Sequence, residues 1–301
     1  MPFTRHLKTR ALIIDAVRRF FVDHGYLEVD TPLRLPSILP EAHIDPVTSE
    51  QWFLQTSPEQ CMKRLLAQGH ERIFQICKTF RKAERGRKHL PEFSMLEWYR
   101  AGVDYRGLMA ETEALIRFVA GRIVNGNTLR YQGLSIDLSP GWPAMTVAQA
   151  FARYTDHTLA QALTMGTFDE LAGCQIEPRL GLDRPVFLYD YPTKTGAAFA
   201  RQKAADPEVV ERFELYIGGL ELCNGFSELT GSRNYEERFR QEELRRAARN
   251  LAPLPRPERF LSDMAHMPDA AGNALGIDRL VMLFCDATTI DDVVAFPPET
   301  L

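Results

Sequence analysis

Leu7, Ala11, Ile14, Val17 and Phe21 recur at helical spacing until Gly25, which predicts an amphipathic helix over residues ~4–24. Tyr26 to Thr31 is strand-like, and Pro32, with no N–H for a ladder, suits a sheet edge or a subunit contact. Trp52 to Thr56 predicts a second short strand. Ser57-Pro58-Glu59 then opens a helix that runs through Leu66, with proline near its first position and an acid in its first turn. Ile73–Phe80 and Phe93–Tyr99 alternate as two strands of an antiparallel hairpin joined by a charged loop. Residues ~104–124 and ~146–173 read as helices. Val186–Tyr191, Arg212–Gly218 and Leu220–Phe226 return to strand patterns, and Tyr235–Asn250 is a charged helix broken by Pro253, Pro255 and Pro257. Last, a glycine-bounded strand from Gly272 runs into a helix that carries Asp278 and Arg279 in its first turn and ends at Phe284. Strands gathered in hairpins with helices between them indicate an α+β fold with a mainly antiparallel sheet, not a βαβ array.

The composition narrows the function classes. A chain of 301 residues, 45% hydrophobic, can bury a sizeable core, and a formal charge of -4 argues against a nucleic-acid footprint spread over the whole surface. No apolar run approaches the ~20 residues needed to span a bilayer, and the N-terminus lacks an apolar leader, so a cytoplasmic address is expected. Cys61, Cys77, Cys174, Cys223 and Cys285 are widely spaced and read as reduced, packed thiols; without a CxxC or a close histidine pair, structural zinc is not expected.

The glycine-rich phosphate loops of Rossmann and P-loop proteins are missing, so phosphate would be held by side chains. Arg81, at the end of one hairpin strand, and Arg279 are the candidates. The loop that follows Arg81 is basic and closes on aromatic and acidic residues, a composition suited to a polyphosphate and a purine. Glu214 and Glu221 flank Gly218-Gly219, where a tight turn could bring two hard oxygen ligands together for Mg²⁺. Asn224 and Glu228 set an amide and a carboxylate beside Phe226; a half-buried carboxylate there invites an ammonium ligand.

Five segments occur in order: Thr31-Pro32-Leu33, TSPE at 56–59, an FR with a basic loop closing on HLPEFSMLEWY at 80–99, FELY with ELCNGFSEL at 213–229, and GNALGIDRLVMLF at 272–284. Together they resemble motifs 1, 2 and 3 of a class II aminoacyl-tRNA synthetase catalytic domain of the lysyl branch, over nearly the whole chain. Motif 1 begins within ~30 residues of Met1, so no N-terminal OB-fold anticodon domain is expected and residues 1–301 read as one catalytic domain. The closer resemblance is to the short lysyl-tRNA synthetase paralogues that attach lysine or (R)-β-lysine to a lysine ε-amino group of elongation factor P. A truncated synthetase-like enzyme with tRNA or a small molecule as acceptor, and a non-catalytic paralogue, are the alternatives.

The resemblance implies ATP and Mg²⁺, an aminoacyl-adenylate intermediate, elongation factor P as partner, no anticodon recognition and a homodimer. Catalysis falls to Arg81 on the α-phosphate and Arg279 opposite it. Lys82, Ala83, Leu90, Phe93, Glu221, Leu222 and Gly276 complete the ATP site, with Phe93 stacked on adenine, and Glu214 and Glu221 hold the metal. Ser57, Pro58, Glu59 and Glu97 sit near the backbone-type amine, and Tyr99, Asn224 and Glu228 read the distal ammonium. Ser57 replaces a usual alanine, and Trp98 is a further mark of the paralogue branch. Ala274 replaces a usual glycine, which would narrow the pocket and favour a β-amino acid. The family's FRNE is Phe80-Arg81-Lys82-Ala83 here. The adenine-contacting glutamate is absent from 83, and Glu84 stands one residue out of phase, on the opposite face if the strand continued.

Overall fold

The computed structural model describes residues 3–195 and 199–301. Among them the main sheet has nine strands. These are β1 (Leu27–Glu28), β2 (Arg72–Phe80), β3 (Glu92–Ala101), β4 (Ala144–Thr146), β5 (Val186–Pro192), β6 (Gln202–Lys203), β7 (Asp206–Ile217), β8 (Leu220–Ser227) and β9 (Ala270–Gly276). They lie in the order β1-β2-β3-β9-β8-β7-β5-β4, with β6 on β7. The interior pairs are antiparallel, and only the edge pairs β1/β2 and β5/β4 are parallel.

The helices are α1 (Phe3–Asp23), α2 (Glu59–Ala67), α3 (Tyr105–Ile123), α4 (Val147–Tyr154), α5 (Leu159–Met165), α6 (Phe168–Leu171), α7 (Ser232–Ala248), α8 (Glu258–Asp263) and α9 (Ile277–Cys285). Side chains alternate across a strand, so each sheet face has its own core. On one face Phe74, Leu96, Trp98, Phe213, Leu215 and Leu275 pack with Val17 and Phe21 of α1, Ile116 of α3 and Leu280 of α9. On the other, Ile73, Tyr99 and Phe226 pack with Met62 of α2, Tyr235 of α7 and Phe260 of α8.

The structure redraws several sequence expectations. The helix expected over 146–173 is three helices. Thr146 and Thr158 each form a capping box that starts a new one, and Gly166 is left-handed, so the chain turns instead of continuing. Tyr26 to Thr31 contributes only Leu27–Glu28 to the sheet, at its edge. Trp52–Leu54 belongs to a separate three-stranded sheet with Arg34–Leu35 and Thr48–Ser49. A hairpin at Thr128–Tyr131 and Leu134–Asp137 had no counterpart in the sequence reading. Of the cysteines, only Cys223 is fully buried, and Cys174 is exposed. Burial pushes the Cys223 thiol up to about 12.

Candidate functional site

Register brings the site together. Gln75, Glu97, Ala274, Asn224 and Glu214 are successive cross-strand partners on β2, β3, β9, β8 and β7. Partners share a face and neighbouring strands lie about 4.8 Å apart, so these five side chains form one row across the face that α2 and α7 border. The next row runs Tyr99, Gly272, Phe226 and Arg212. Glycine is required in it: a Cβ on Gly272 would stand 2.3 Å from the Tyr99 ring and 2.5 Å from Glu228 Oε1. Trp98 faces the other way, packed on Phe21 with 5.3 Å between ring centroids, and has no part in the site.

Two β-bulges correct the phase around Glu214. On β8 the pairing steps from Leu215↔Cys223 to Tyr216↔Glu221, leaving Leu222 as the extra residue. On β5 it steps from Tyr189↔Phe213 to Tyr191↔Val210, with Asp190 left-handed at φ 60°. Each bulge turns a residue onto the site face that strict alternation would bury on the other. Glu221 therefore joins Glu214, and Tyr191 and Tyr216 donate hydrogen bonds to Glu214 Oε2 at 2.5 and 2.6 Å. Arg212 donates to Glu214 Oε1 at 2.5 Å and to Asn224 Oδ1 at 2.9 Å. Burial, then the nearby Glu221, raises the Glu214 carboxyl above its usual range.

Two cavities meet at Asn224. One, of about 430 Å³, is lined by Arg81, Ala83, Glu84, Leu90, Phe93, Glu221, Leu222, Ala274, Gly276 and Arg279. Arg81 lies 5.2 Å over the Phe93 ring. Arg279 faces it from α9, donating to Glu221 O at 2.9 Å and to Glu221 Oε2 at 3.3 Å. Lys82 is outside this lining, and its backbone N–H is spent on Asp45 O at 2.8 Å. Glu84, by contrast, is in it. The alternation argument fails because β2 ends at Phe80 and Ala83 is left-handed at φ 61°, which turns the next residue inward.

The second cavity, of about 360 Å³, is acidic, with Glu41, Glu177, Glu214 and Glu242 in its wall. Beside it the residues expected to read amines form a buried polar cluster. Ser57 Oγ donates to Glu97 Oε2 at 2.6 Å, and Tyr99 donates to the other oxygen. Lys63, fully buried on α2, reaches Glu59 at 2.5 Å and Glu228 at 2.6 Å. Phe199, Phe226 and Tyr235 surround its ammonium at 5.1 to 5.6 Å. These counter-charges hold Lys63 protonated despite its burial. Burial raises Glu97 to about 7, with Glu59 adding to it, and Glu228 to about 8 against the pull of Lys63. The sequence reading missed Lys63; the signal available was its position four residues after Glu59, one helical turn on. Pro58 stands at the N-cap of α2 and, like Glu97, Tyr99 and Glu228, is in the lining of neither cavity.

Among the described residues no group of three or more His, Cys, Asp or Glu side chains could cage a metal. Of the two carboxylates expected to take Mg²⁺, hard oxygen donors of the kind it prefers, Glu221 lines the first cavity with one oxygen on Arg279, and Glu214 lines the second with its oxygens on Arg212, Tyr191 and Tyr216.

Comparison with known proteins places the chain in a family. Residues 2–300 match the family described as tRNA synthetases class II (D, K and N). A protein of Pectobacterium carotovorum subsp. carotovorum, named Elongation factor P--(R)-beta-lysine ligase, is 39% identical over 98% of this chain and 95% of its own length. Proteins of the same name from Edwardsiella ictaluri and an Enterobacter species are also 39% identical, each over 97% of this chain and 94% of their own. With its match running nearly end to end, the chain belongs to the class II tRNA synthetase family.

Proposed function

We propose that this chain activates lysine or (R)-β-lysine with ATP and transfers it to a lysine ε-amino group of elongation factor P. The observation that carries the reading is the meeting, at Asn224, of a cleft walled by Arg81, Phe93 and Arg279 with an acidic chamber beside Glu59, Glu97 and Glu228. A polyanion fits the first and a diammonium amino acid the second. The names of its relatives supply the acceptor.

In the first step a substrate carboxylate oxygen attacks the α-phosphorus of ATP. The bond to pyrophosphate breaks, and an aminoacyl adenylate forms. Arg81 and Arg279 stabilise the charge that grows on the phosphate oxygens. Mg²⁺, held by Glu214 and Glu221, would neutralise phosphate charge when bound with ATP. In the second step the acceptor amine attacks the adenylate carbonyl, AMP leaves, and the amine gives up a proton. Positioning carries most of the work, so no nucleophilic serine or cysteine is needed. Ala274 lies between Glu97 and Asn224 in the row, where its methyl takes space beside the amine readers and favours the β-amino acid.

The reading includes a homodimer; exposed Leu12 and Val22 of α1, with Leu27 and Leu33 after it, are apolar side chains such a contact could cover. It needs a cytoplasmic address; among the described residues no helix is long and apolar enough to cross a membrane. The test supplies ATP, labelled α- or β-lysine, and either tRNA or elongation factor P. Elongation factor P should gain the mass of one aminoacyl group, and label on tRNA alone would refute the reading.

A further inference from the structure

Behind the acidic chamber a recess of about 10 Å³ is lined by Glu41, Thr56, Ser57, Glu59 and Gln60, with Glu41 bordering both spaces. That volume holds one water or one ammonium group. Its polar lining is rich in acceptors. Glu59 gives one carboxylate oxygen to Lys63. Gln60 is 8% exposed and its Oε1 has no hydrogen-bond partner. No hydrogen bond or ion pair closes on the Glu41 carboxylate among the described residues. A buried Gln60 Oε1 with no donor, beside a half-buried Glu41 carboxylate that no side chain pairs, costs free energy that a cationic donor would remove.

The position of Glu41 does not depend on its side chain. Helix α7 pins the surrounding backbone: Glu242 accepts from Ala42 N at 3.0 Å, Arg246 donates to Glu41 O at 3.0 Å, and Arg249 donates to Ala42 O at 2.7 Å. Lys82 N holds Asp45 O from the motif 2 loop. Arg246 and Arg249 are thus spent on this loop. Burial, then repulsion from Glu59, lifts Glu41 to about 7, while Arg81 and Lys63 pull it down and Glu242 pushes it up.

We infer that Glu41, with Glu59 and the Gln60 carbonyl, seats the substrate ammonium nearest the reacting carboxylate, making Glu41 a specificity-determining residue. The inference rests on the proposed amino-acid activation but is tested by binding alone. Calorimetry on the full chain compares lysine and (R)-β-lysine with 6-aminohexanoate, which keeps the distal amine and the carboxylate and lacks the nearer amine. Glu41→Gln should weaken both lysines about ten- to a hundredfold, the loss of one charge-assisted contact, and leave 6-aminohexanoate within about twofold. Gln60→Met should act in the same direction by a smaller factor and covers the case of a misfolded Glu41 variant. Equal loss on all three ligands, or no loss on any, overturns the inference. Pyrophosphate exchange, run separately on the wild type, judges activation itself, so the two failures are told apart.

Discussion

The nucleotide cleft and the amino-acid chamber share one sheet face and are built on opposite electrostatic principles. In the cleft Arg81, Arg279, Lys88 and Glu84 stand at the protein surface, each partly wetted and screened. Beside the chamber Glu97, Glu228 and Lys63 are at most 2% exposed and answer to one another. Charges on the wet side can be removed singly without disturbing the fold. On the dry side each removal strands a partner, which is where loss of stability and loss of recognition become hard to separate.

Four changes break or sharpen that contrast. Arg81→Ala should lower kcat/KM for pyrophosphate exchange by about 10² to 10³, the usual cost of one transition-state donor, with an unchanged melting temperature. A fall in stability of several degrees would place Arg81 with the dry side. Ala274→Gly should shift the ratio of α- to β-lysine activation toward the α isomer by about tenfold, within the range of one methyl in a close-packed pocket. An unmoved ratio removes Ala274 from specificity. Glu84→Gln should raise the KM for ATP about fivefold, one hydrogen bond's worth, and leave the amino-acid KM alone; an ordinary ATP KM in the variant would show that Glu84 is not recruited to adenine.

The fourth change is pH, and its sign follows from burial. The folded pKa values of Glu41 and Glu97, about 7, and of Glu228, about 8, all lie above the ordinary 4.5. Between those limits the folded chain holds protons that the unfolded chain has released. Their stabilising effect is complete below about pH 4.5 and is lost as pH rises through 7 to 8. The melting temperature should fall by about 5 °C from pH 5.5 to 8.5, and lysine should restore part of it by supplying cations to the ionised carboxylates. A rise over that interval would mean the chamber carboxylates are already ionised at low pH.

The wet side was the more legible in the sequence. Arg81, Phe93 and Arg279 belong to contiguous motifs, and their strands and helix formed nearly where alternation placed them. Glu84 was the exception, because alternation was carried past the end of a strand. On the dry side the sequence offered Glu59, Glu97 and Glu228, and not what surrounds them. Lys63 looked like any polar residue of an amphipathic helix. Glu41 lies in a loop whose shape is set by a helix some 200 residues later, and nothing local announces such a clamp. The same limit explains the broken helix at 147–171, where two threonine caps outweighed an apolar period.

The bulge at Leu222 makes the hairpin an adjustable spacer. Glu221 and Asn224 lie three apart, so unbulged alternation would set them on opposite faces, and the extra residue, Leu222, is what lets them project together; without it the two would stand two apart and share the face with no bulge at all. The second carboxylate thus depends on how the strand absorbs one residue: a change that drove 220–224 into regular alternation at its present length would turn Glu221 into the apolar layer without altering Glu221 itself.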